Sequence, residues 1–132
     1  MVAFTGVLTG TITLGDEQVL IYNKVLLNVG NGYNIKSGHF VAPVSGIYSV
    51  SVSLMGFQSN SVHLQLVKDG KELVRLWTAI GSHRLGAQTI AVQLRKNEAV
   101  WVRRRKETGG KIYGGEPFNT FSVVLVASGV YQ

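Results

Sequence analysis

The densest group of charged side chains in this sequence is a run of four basic residues: Arg103, Arg104, Arg105 and Lys106. Each arginine presents a planar fork of N–H donors that can hold a carboxylate, sulfate or phosphate through two parallel hydrogen bonds. Because side chains alternate across a strand, an extended run directs Arg103 and Arg105 to one face and Arg104 to the other. The run therefore predicts anion binding, spread over two faces of one strand.

The residues that follow the basic run allow two interpretations: a larger ligand site, or a purely structural role for the charged residues. Lys111 and Tyr113 lie in a glycine-rich stretch, 108–115, that could fold over a ligand, and an aromatic ring beside polar groups suits the face of a sugar. The simpler explanation is that the basic run is a strand end that emerges into solvent or pairs with Glu107 and Glu116. The sequence leaves both explanations open.

The residue types needed for catalysis do not form a recognisable constellation. The sequence has no cysteine, no nucleophile elbow and no clustered pair of carboxylates. The glycine pairs at 109–110 and 114–115 are not a dinucleotide fingerprint, because no helix is predicted after them. The three histidines lack metal-ligand spacing, and the aromatic pattern of RNA-binding modules is absent. We therefore expect no enzyme, no cofactor, no metal site and no nucleic-acid partner.

Length and composition limit the class of protein. The 132 residues fit one domain, 1–132, and a content of 45% hydrophobic residues can form a substantial core. Charged residues make up only 15% of the chain, against about 25% in a typical soluble domain, which suggests that other subunits cover part of the surface. The formal net charge of +6 favours anionic partners, although a role in solubility explains it equally well.

No segment has the features of a membrane or targeting signal. No apolar run approaches the roughly 18 residues that indicate a membrane-spanning helix. Residues 1–6 lack the basic and apolar regions of a signal peptide. We therefore expect a chain that is either trimmed or not exported by the usual route, and no membrane insertion.

Alternating polarity predicts the elements that position the charged side chains. Between Tyr48 and Leu54, apolar residues alternate with serines, as in a strand with one buried face. Similar runs recur at intervals of about 8–12 residues. Asp69-Gly70 is a typical hairpin turn, and the apolar segment 19–28 is predicted to form short extended pieces. About ten such strands without a convincing helix predict an all-β sandwich or jelly roll.

Some predicted strands carry apolar residues on faces that the chain itself would not cover. The last strand, 118–127, is apolar on both faces, which is typical of a strand covered on both sides. Trp77 and Trp101 are expected in the core or in subunit contacts rather than in a ligand site. Trp101, His63 and Gln65 lie on outward faces and form a candidate subunit-contact set.

A series of motifs in the first half of the chain has a distinctive order and spacing: Tyr22-Asn23-Lys24-Val25, Asn28, Gly30, Tyr33-Asn34, Ser37-Gly38-His39-Phe40, Ala42-Pro43-Val44 and Gly46-Ile47-Tyr48. This series resembles the complement C1q globular-head family. Ala3-Phe4, the segment 94–102 and the segment 121–126 resemble the opening strand, the Val-Trp strand and the closing strand of the same family. The resemblance thus covers essentially the whole chain.

The resemblance implies a ten-stranded jelly roll that is shared with tumour necrosis factor ligands and usually packs as a homotrimer. It also implies a secreted, extracellular recognition module rather than an enzyme. Such modules bind immune complexes, microbial surface glycans, receptors or other extracellular partners, and for this basic chain we expect microbial surface glycans, lipopolysaccharide or other anionic ligands. Because no Gly-X-Y tract precedes the head here, the chain resembles the stalkless, lectin-like members that act in innate immunity.

The sequence departs from the family pattern in three places. Val50 and Val123 stand where a phenylalanine and a glycine are usual. Several family members bind calcium near the trimer apex through acidic residues of the loop that corresponds to 79–86, but this loop has no acidic residue and carries His83 and Arg84. The resemblance therefore implies that the calcium site is missing and that a basic position replaces it.

Three functions remain open from the sequence. The first is a trimeric, lectin-like module that binds anionic or glycan ligands through Arg103, Arg104, Arg105, Lys106, Lys111, Tyr113, His83 and Arg84. The second is a cytokine-like ligand of a cell-surface receptor. The third is a structural or assembly role without a small ligand.

Overall fold

The computed structural model describes residues 1–57, 61–79 and 85–131, which fold as strands, turns and loops. The strands are β1 (Ala3–Val7), β2 (Ile12–Thr13), β3 (Lys24–Val29), β4 (Tyr33–Asn34), β5 (His39–Val41), β6 (Gly46–Met55), β7 (Val62–Lys68), β8 (Lys71–Thr78), β9 (Leu85–Leu94), β10 (Ala99–Arg104), β11 (Lys111–Ile112) and β12 (Thr120–Ser128). These described residues contain no helix that could span a membrane.

Ten of the described strands form two antiparallel five-stranded sheets. The order is β3-β1-β12-β6-β9 in the first sheet and β4-β5-β10-β7-β8 in the second. Strands β2 and β11 form a separate two-stranded ribbon. Neighbours such as β1 and β12 come from opposite ends of the chain, so the sheets close only when the whole chain is folded. The predicted all-β, ten-stranded jelly-roll sandwich is confirmed.

An aromatic cluster joins the two sheets at the centre of the sandwich. Phe4 and Phe121 of the first sheet pack edge to face, with ring centroids 5.4 Å apart. Phe4 stacks on Tyr33 of the second sheet at 4.1 Å, and Phe40 of the second sheet meets Tyr48 of the first at 5.9 Å. Burying each such ring contributes about 2–3 kcal/mol, so this cluster sets the spacing between the sheets.

The alternation predicted for β6 is confirmed by its burial. Tyr48, Val50, Val52 and Leu54 are buried, and the serines between them lie on the opposite face. The Tyr48 hydroxyl donates to the carbonyl of Val44 at 2.6 Å, which ties the strand to the turn that precedes it. Strand β6 lies between β12 and β9 in the first sheet, and its apolar face forms part of the core.

The predicted Asp69-Gly70 hairpin joins β7 to β8. Both turn residues have positive φ, 49° and 87°, as a two-residue hairpin of this kind requires. The Asp69 carboxylate also accepts the backbone N–H of Ala99 at 3.0 Å. The turn is thus anchored to β10 as well as closing the hairpin.

The apolar segment 19–28 divides into a buried and an exposed part. Leu20 and Tyr22 are buried in the core. The Tyr33 hydroxyl accepts the N–H of Tyr22 at 2.8 Å and donates to its carbonyl at 3.1 Å, and burial raises the pKa of Tyr33 to about 12. Strand β3 follows as the edge of the first sheet, where Leu26 is 59% exposed. The apolar residues of segment 19–28 therefore lie both in the core and at the exposed edge of the first sheet.

The two tryptophans occupy different environments. Trp101 is partly buried and stacks on His39, with ring centroids 3.9 Å apart. Trp77 is 58% exposed, so the expectation that it could belong to the core is wrong. It opposes His63 across β7 and β8, which places it on the outer face of the second sheet.

At one end of the sandwich, a single guanidinium connects two loops. Arg104 donates to the carbonyl of Leu14 at 2.9 Å and to the carbonyl of Thr108, and it lies 3.3 Å from the carboxylate of Asp16. Its side chain is only 18% exposed. Because both carbonyls receive a charged donor in a shielded position, Arg104 fixes the loops around β10 in place.

Replacing Arg104 with alanine is expected to lower the free energy of unfolding by about 2 kcal/mol or more, because two carbonyls and a carboxylate lose their donor together. Urea unfolding measures this change. The matched control is Lys106→Ala, which removes a cation that is 67% exposed and pairs with Glu17 at 3.2 Å; an exposed pair contributes less than about 1 kcal/mol. Equal losses in the two variants would contradict the role given to Arg104.

Candidate functional site

The outer face of the first sheet is built from hydroxyl-bearing and small apolar side chains. We call it the uncharged face, and it comprises Thr5, Leu27, Ser49, Ser51, Ser53, Thr89, Ala91, Ser122 and Val124. Its hydroxyls satisfy one another across strands: Thr5 with Ser122 at 2.7 Å and Ser51 with Thr89 at 3.0 Å. Such a face can be covered by another protein without burying a charge.

The outer face of the second sheet has the opposite character. We call it the basic face, and it comprises His39, His63, Gln65, Glu72, Arg75, Trp77, Trp101, Arg103 and Arg105. Strand register arranges these side chains in rows, because directly opposed residues point to the same side of a sheet. One row contains Arg103, Gln65 and Arg75. The next contains Arg105, His63 and Trp77, since the N–H of Arg105 donates to the carbonyl of His63 at 2.9 Å.

The predicted alternation within the basic run matches the structure. Arg103 and Arg105 lie on the basic face, whereas Arg104 turns to the opposite side and binds the loops described above. The run therefore does not form one continuous patch. Whether any of its members binds a ligand stays a prediction.

Two acidic residues that precede Val19 form ion pairs with three of the four members of the basic run. Residues 17–20 lie along β10, and there Glu17 accepts Arg103 at 3.5 Å and Lys106 at 3.2 Å, while Asp16 faces Arg104. The expectation that the run pairs with Glu107 and Glu116 is therefore wrong. The reason is topological, because the loop before Val19 crosses β10 and brings in carboxylates from nearly 90 positions earlier in the chain.

Arg105 differs from the other three members of the run. Its side chain is partly buried, and within the described residues its guanidinium makes neither a hydrogen bond nor an ion pair. By contrast, the guanidinium of Arg103 donates to Gln65 at 2.9 Å and to the carbonyl of Gly70 at 3.3 Å. Arg105 is thus the arginine of the run whose guanidinium is available for a ligand.

The charge of Arg75 is balanced on its own strand. Arg75 binds Glu72 through two hydrogen bonds of 2.7 and 2.9 Å, and Gln65 donates to the same carboxylate at 3.2 Å. The hydrogen bond from Arg75 lowers the pKa of Glu72. Arg103, Gln65, Glu72 and Arg75 therefore form one connected network that fixes the middle of the basic face.

His63 lies in the middle of the second row, between Arg105 and Trp77. Its ring centroid is 6.0 Å from that of Trp77, and its Nδ1 is buried with no hydrogen-bond partner in the described part of the chain. Burial of the ring, followed by the charges of Arg105 and Arg75, lowers the pKa of His63 below its usual range. The imidazole is therefore neutral at pH 7 and retains hydrogen-bonding capacity.

Lys111 and Tyr113 lie in and just after the ribbon strand β11, not in the sheet that carries the basic run. Strand β11 pairs with β2 in the ribbon, where the Lys111 ammonium lies 4.0 Å above the ring of Phe57. The Tyr113 hydroxyl is 3.5 Å from the carboxylate of Glu116. The structure therefore separates the predicted site residues into two groups, the basic run on β10 and an aromatic group on the ribbon.

The remaining predicted site residues, His83 and Arg84, lie outside the described residues. The last and first described residues around that loop, Ala79 and Leu85, line an open hollow of about 410 Å³ together with Trp77 and Thr78. Among the described residues, no three histidine or acidic side chains come together as a metal site.

Sequence reasoning did not select Trp77, His63 and Arg75 as binding residues. Each is an outward residue at period two on β7 or β8, and each is opposed to a residue of the neighbouring strand. The alternation was visible in the sequence, but the pairing of β10 with β7 was not, because it depends on the strand order of the jelly roll.

Comparison with known proteins gives the family. The profile of the C1q domain matches residues 3–126. Two curated proteins of Mus musculus, complement C1q tumor necrosis factor-related proteins 3 and 1, are each 27% identical, over 111 and 113 residues. The alignments cover 81% and 83% of this chain but 44% and 40% of those relatives, so the chain spans less than half of their length.

Solved structures agree on the fold. The globular domain of zebrafish complement 1qA has a TM-score of 0.82 at 16% identity, covering 98% of this chain and 100% of that one. Eiger TNF from S. frugiperda has a TM-score of 0.81 at 13% identity, covering 98% of this chain and 95% of that one. The jelly roll is common to both, and the profile match over nearly all of the chain shows that this protein belongs to the C1q domain family.

Proposed function

We propose that this domain is a secreted, extracellular, homotrimeric recognition module of the complement-like, lectin-like type. It binds anionic or glycan ligands on microbial or host surfaces and acts without catalysis. Membership of the C1q domain family supports the trimer and the recognition role. The observation that carries the proposal is the contrast between the uncharged face and the basic face on opposite sides of one sandwich.

The uncharged face is the surface that we assign to assembly. Its central hydroxyls are already paired with each other, so covering them leaves no unsatisfied charge. Apolar side chains surround them, including Val126, which is 65% exposed. The low proportion of charged residues, 15%, also fits a chain with part of its surface covered. The basic face then remains available to ligands.

A charge placed in the uncharged face is expected to dissociate the trimer. Ser51→Arg introduces an unpaired guanidinium at its centre, which costs several kcal/mol when desolvated. Analytical ultracentrifugation should change from a trimer to a monomer. Ile35→Arg, an equal charge at an exposed turn position, serves as the matched control and should stay trimeric. A Ser51→Arg variant that remains trimeric would remove this face from the assembly.

Binding to anionic surfaces is expected to depend strongly on salt. The wild-type trimer should bind immobilised heparin and lipopolysaccharide at about 0.1 M salt and lose most of that binding towards 1 M, because the screening length falls from about 10 to 3 Å. Surface plasmon resonance measures this change, with an uncharged polysaccharide surface as the control. Absence of binding, or binding unaffected by salt, would contradict the proposed ligand class.

A cytokine-like function is the second candidate. The observation that favours it is the close structural match to Eiger TNF, together with relatives named for both C1q and tumor necrosis factor. In that case, the lateral grooves of a trimer would bind a receptor protein. Cell binding that resists competition by heparin would support the receptor, whereas competition by heparin would support the lectin-like function.

A further inference from the structure

We propose that Arg105, His63 and Trp77 form a subsite on the basic face for an acidic sugar, a ring that carries a carboxylate or a sulfate. The inference rests on the proposed function for its general ligand class, and it adds the residues and the kind of group that each one holds. Two of the three residues, His63 and Trp77, lie outside the charged motifs of the sequence.

The subsite is one cross-strand row of the second sheet. Arg105 follows β10 and opposes His63 on β7, which in turn opposes Trp77 on β8. Directly opposed side chains in antiparallel strands stand about 5 Å apart at Cβ, so three neighbours span roughly the width of a sugar residue and its acidic substituent. Two strands and the residue directly after a third hold the row, and the backbone of Arg105 is itself hydrogen-bonded to that of His63, so the row is prearranged by the sheet.

Each member of the row has an unused binding capacity. Arg105 has no partner for its guanidinium among the described residues, as shown above, and a guanidinium binds carboxylate or sulfate through two donors. Trp77 is 58% exposed and offers an aromatic surface for the C–H face of a sugar. The half-buried ring of His63 lies between them in the row and makes no hydrogen bond within the described residues, and because its Nδ1 is buried, a ligand on the face would meet the other ring nitrogen.

The neighbouring row explains why the anion is placed at Arg105. Arg103 and Arg75 are close by, but their donors are taken by Gln65, Gly70, Glu17 and Glu72. These contacts hold the side chains in the middle of the basic face in place, and they leave little positive charge there for a ligand. The available positive charge therefore lies at the end of the face where the exposed indole lies.

The pairing of one available cation with one exposed aromatic ring favours an acidic sugar over other anions. Inorganic sulfate or phosphate would use Arg105 but not the indole. A neutral sugar would use the indole but leave the guanidinium without a partner. A single ring with an acidic group satisfies both, which is the usual composition of a site that combines apolar contact with a few polar anchors.

Binding should be linked to protonation of His63. The charged and titratable groups that face His63 in the described structure are Arg105 of the neighbouring strand end and Arg75 of β8, with Glu72 bound to Arg75. In the free protein, burial and these cations favour the neutral imidazole. A bound anion beside Arg105 favours the imidazolium, so the pKa of His63 rises on binding and affinity increases as the pH falls through that range.

The experiment measures binding of short oligosaccharides to the intact protein by calorimetry at constant salt. The probes are a heparin tetrasaccharide, an unsulfated oligogalacturonate and the neutral maltotetraose, so the two acidic probes distinguish sulfate from carboxylate as the recognised group. Arg105→Ala and Trp77→Ala are each expected to weaken binding of the preferred acidic probe by about tenfold or more. Arg105→Lys keeps the charge but loses the fork and should recover only part of the affinity.

Lys36→Ala is the matched control, because it removes one positive charge from an exposed turn at the opposite edge of the same sheet. It should bind like the wild type. In the NMR spectrum, the His63 ring signal should report a raised pKa on addition of the acidic probe, whereas the signal of His39, stacked on Trp101, should not move. Inorganic sulfate alone tests for simple anion binding.

Several outcomes would overturn the subsite. One is that Lys36→Ala weakens binding of the acidic probe as much as the Arg105 and Trp77 variants do, and another is that both of those variants keep wild-type affinity. The subsite is also rejected if the His63 pKa does not change when the acidic probe is added, or if inorganic sulfate binds as tightly as the acidic sugar. A Trp77→Ala variant that loses the trimer would assign the indole to assembly instead. Heparin binding that survives both variants would reject the subsite while leaving the proposed function intact, whereas no acidic-glycan binding by the wild type would reject both.

Discussion

The contact between the two sheets is the constraint on which the remainder of the molecule depends. Phe4 stacks on Tyr33 at 4.1 Å, and the Tyr33 hydroxyl is bonded to both backbone groups of Tyr22. This arrangement holds the two sheets with their inner faces against each other, so that each sheet has one outer face. The uncharged and basic faces are separate surfaces because the aromatic cluster and the aliphatic side chains around it fill the space between the two inner faces.

The fold follows from local patterns that the sequence shows directly. The alternation from Tyr48 to Leu54 marks a half-buried strand, and the Asp69-Gly70 pair marks a hairpin with both residues at positive φ. These features depend only on neighbouring residues. The C1q-type motifs lie in the segment 22–48, which contains β3, β4, β5 and the start of β6, and their buried members Tyr22, Phe40 and Tyr48 are part of the core.

The candidate site was harder to predict from the sequence than the fold, because the charges around each side chain depend on which segments the topology brings together. Four consecutive cations indicate a strong anion site when read along the chain. In the structure, however, Asp16 and Glu17 form ion pairs with three of them, and Arg105 alone retains an available guanidinium within the described residues. Neither the acidic partners nor the apposition of Arg105 to His63 and Trp77 can be obtained from spacing, since both require the order of strands around β10.

The exposed edge of strand β3 affects how the protein behaves when copies of it meet. It is the edge of the first sheet and presents Val25, Leu26 and Leu27 to solvent, with Lys24 as the charge at its start. An edge that combines apolar side chains with unpaired backbone groups is a template for any other strand. Two copies can therefore pair strand to strand at this edge, and such pairing becomes faster as the protein concentration during folding rises.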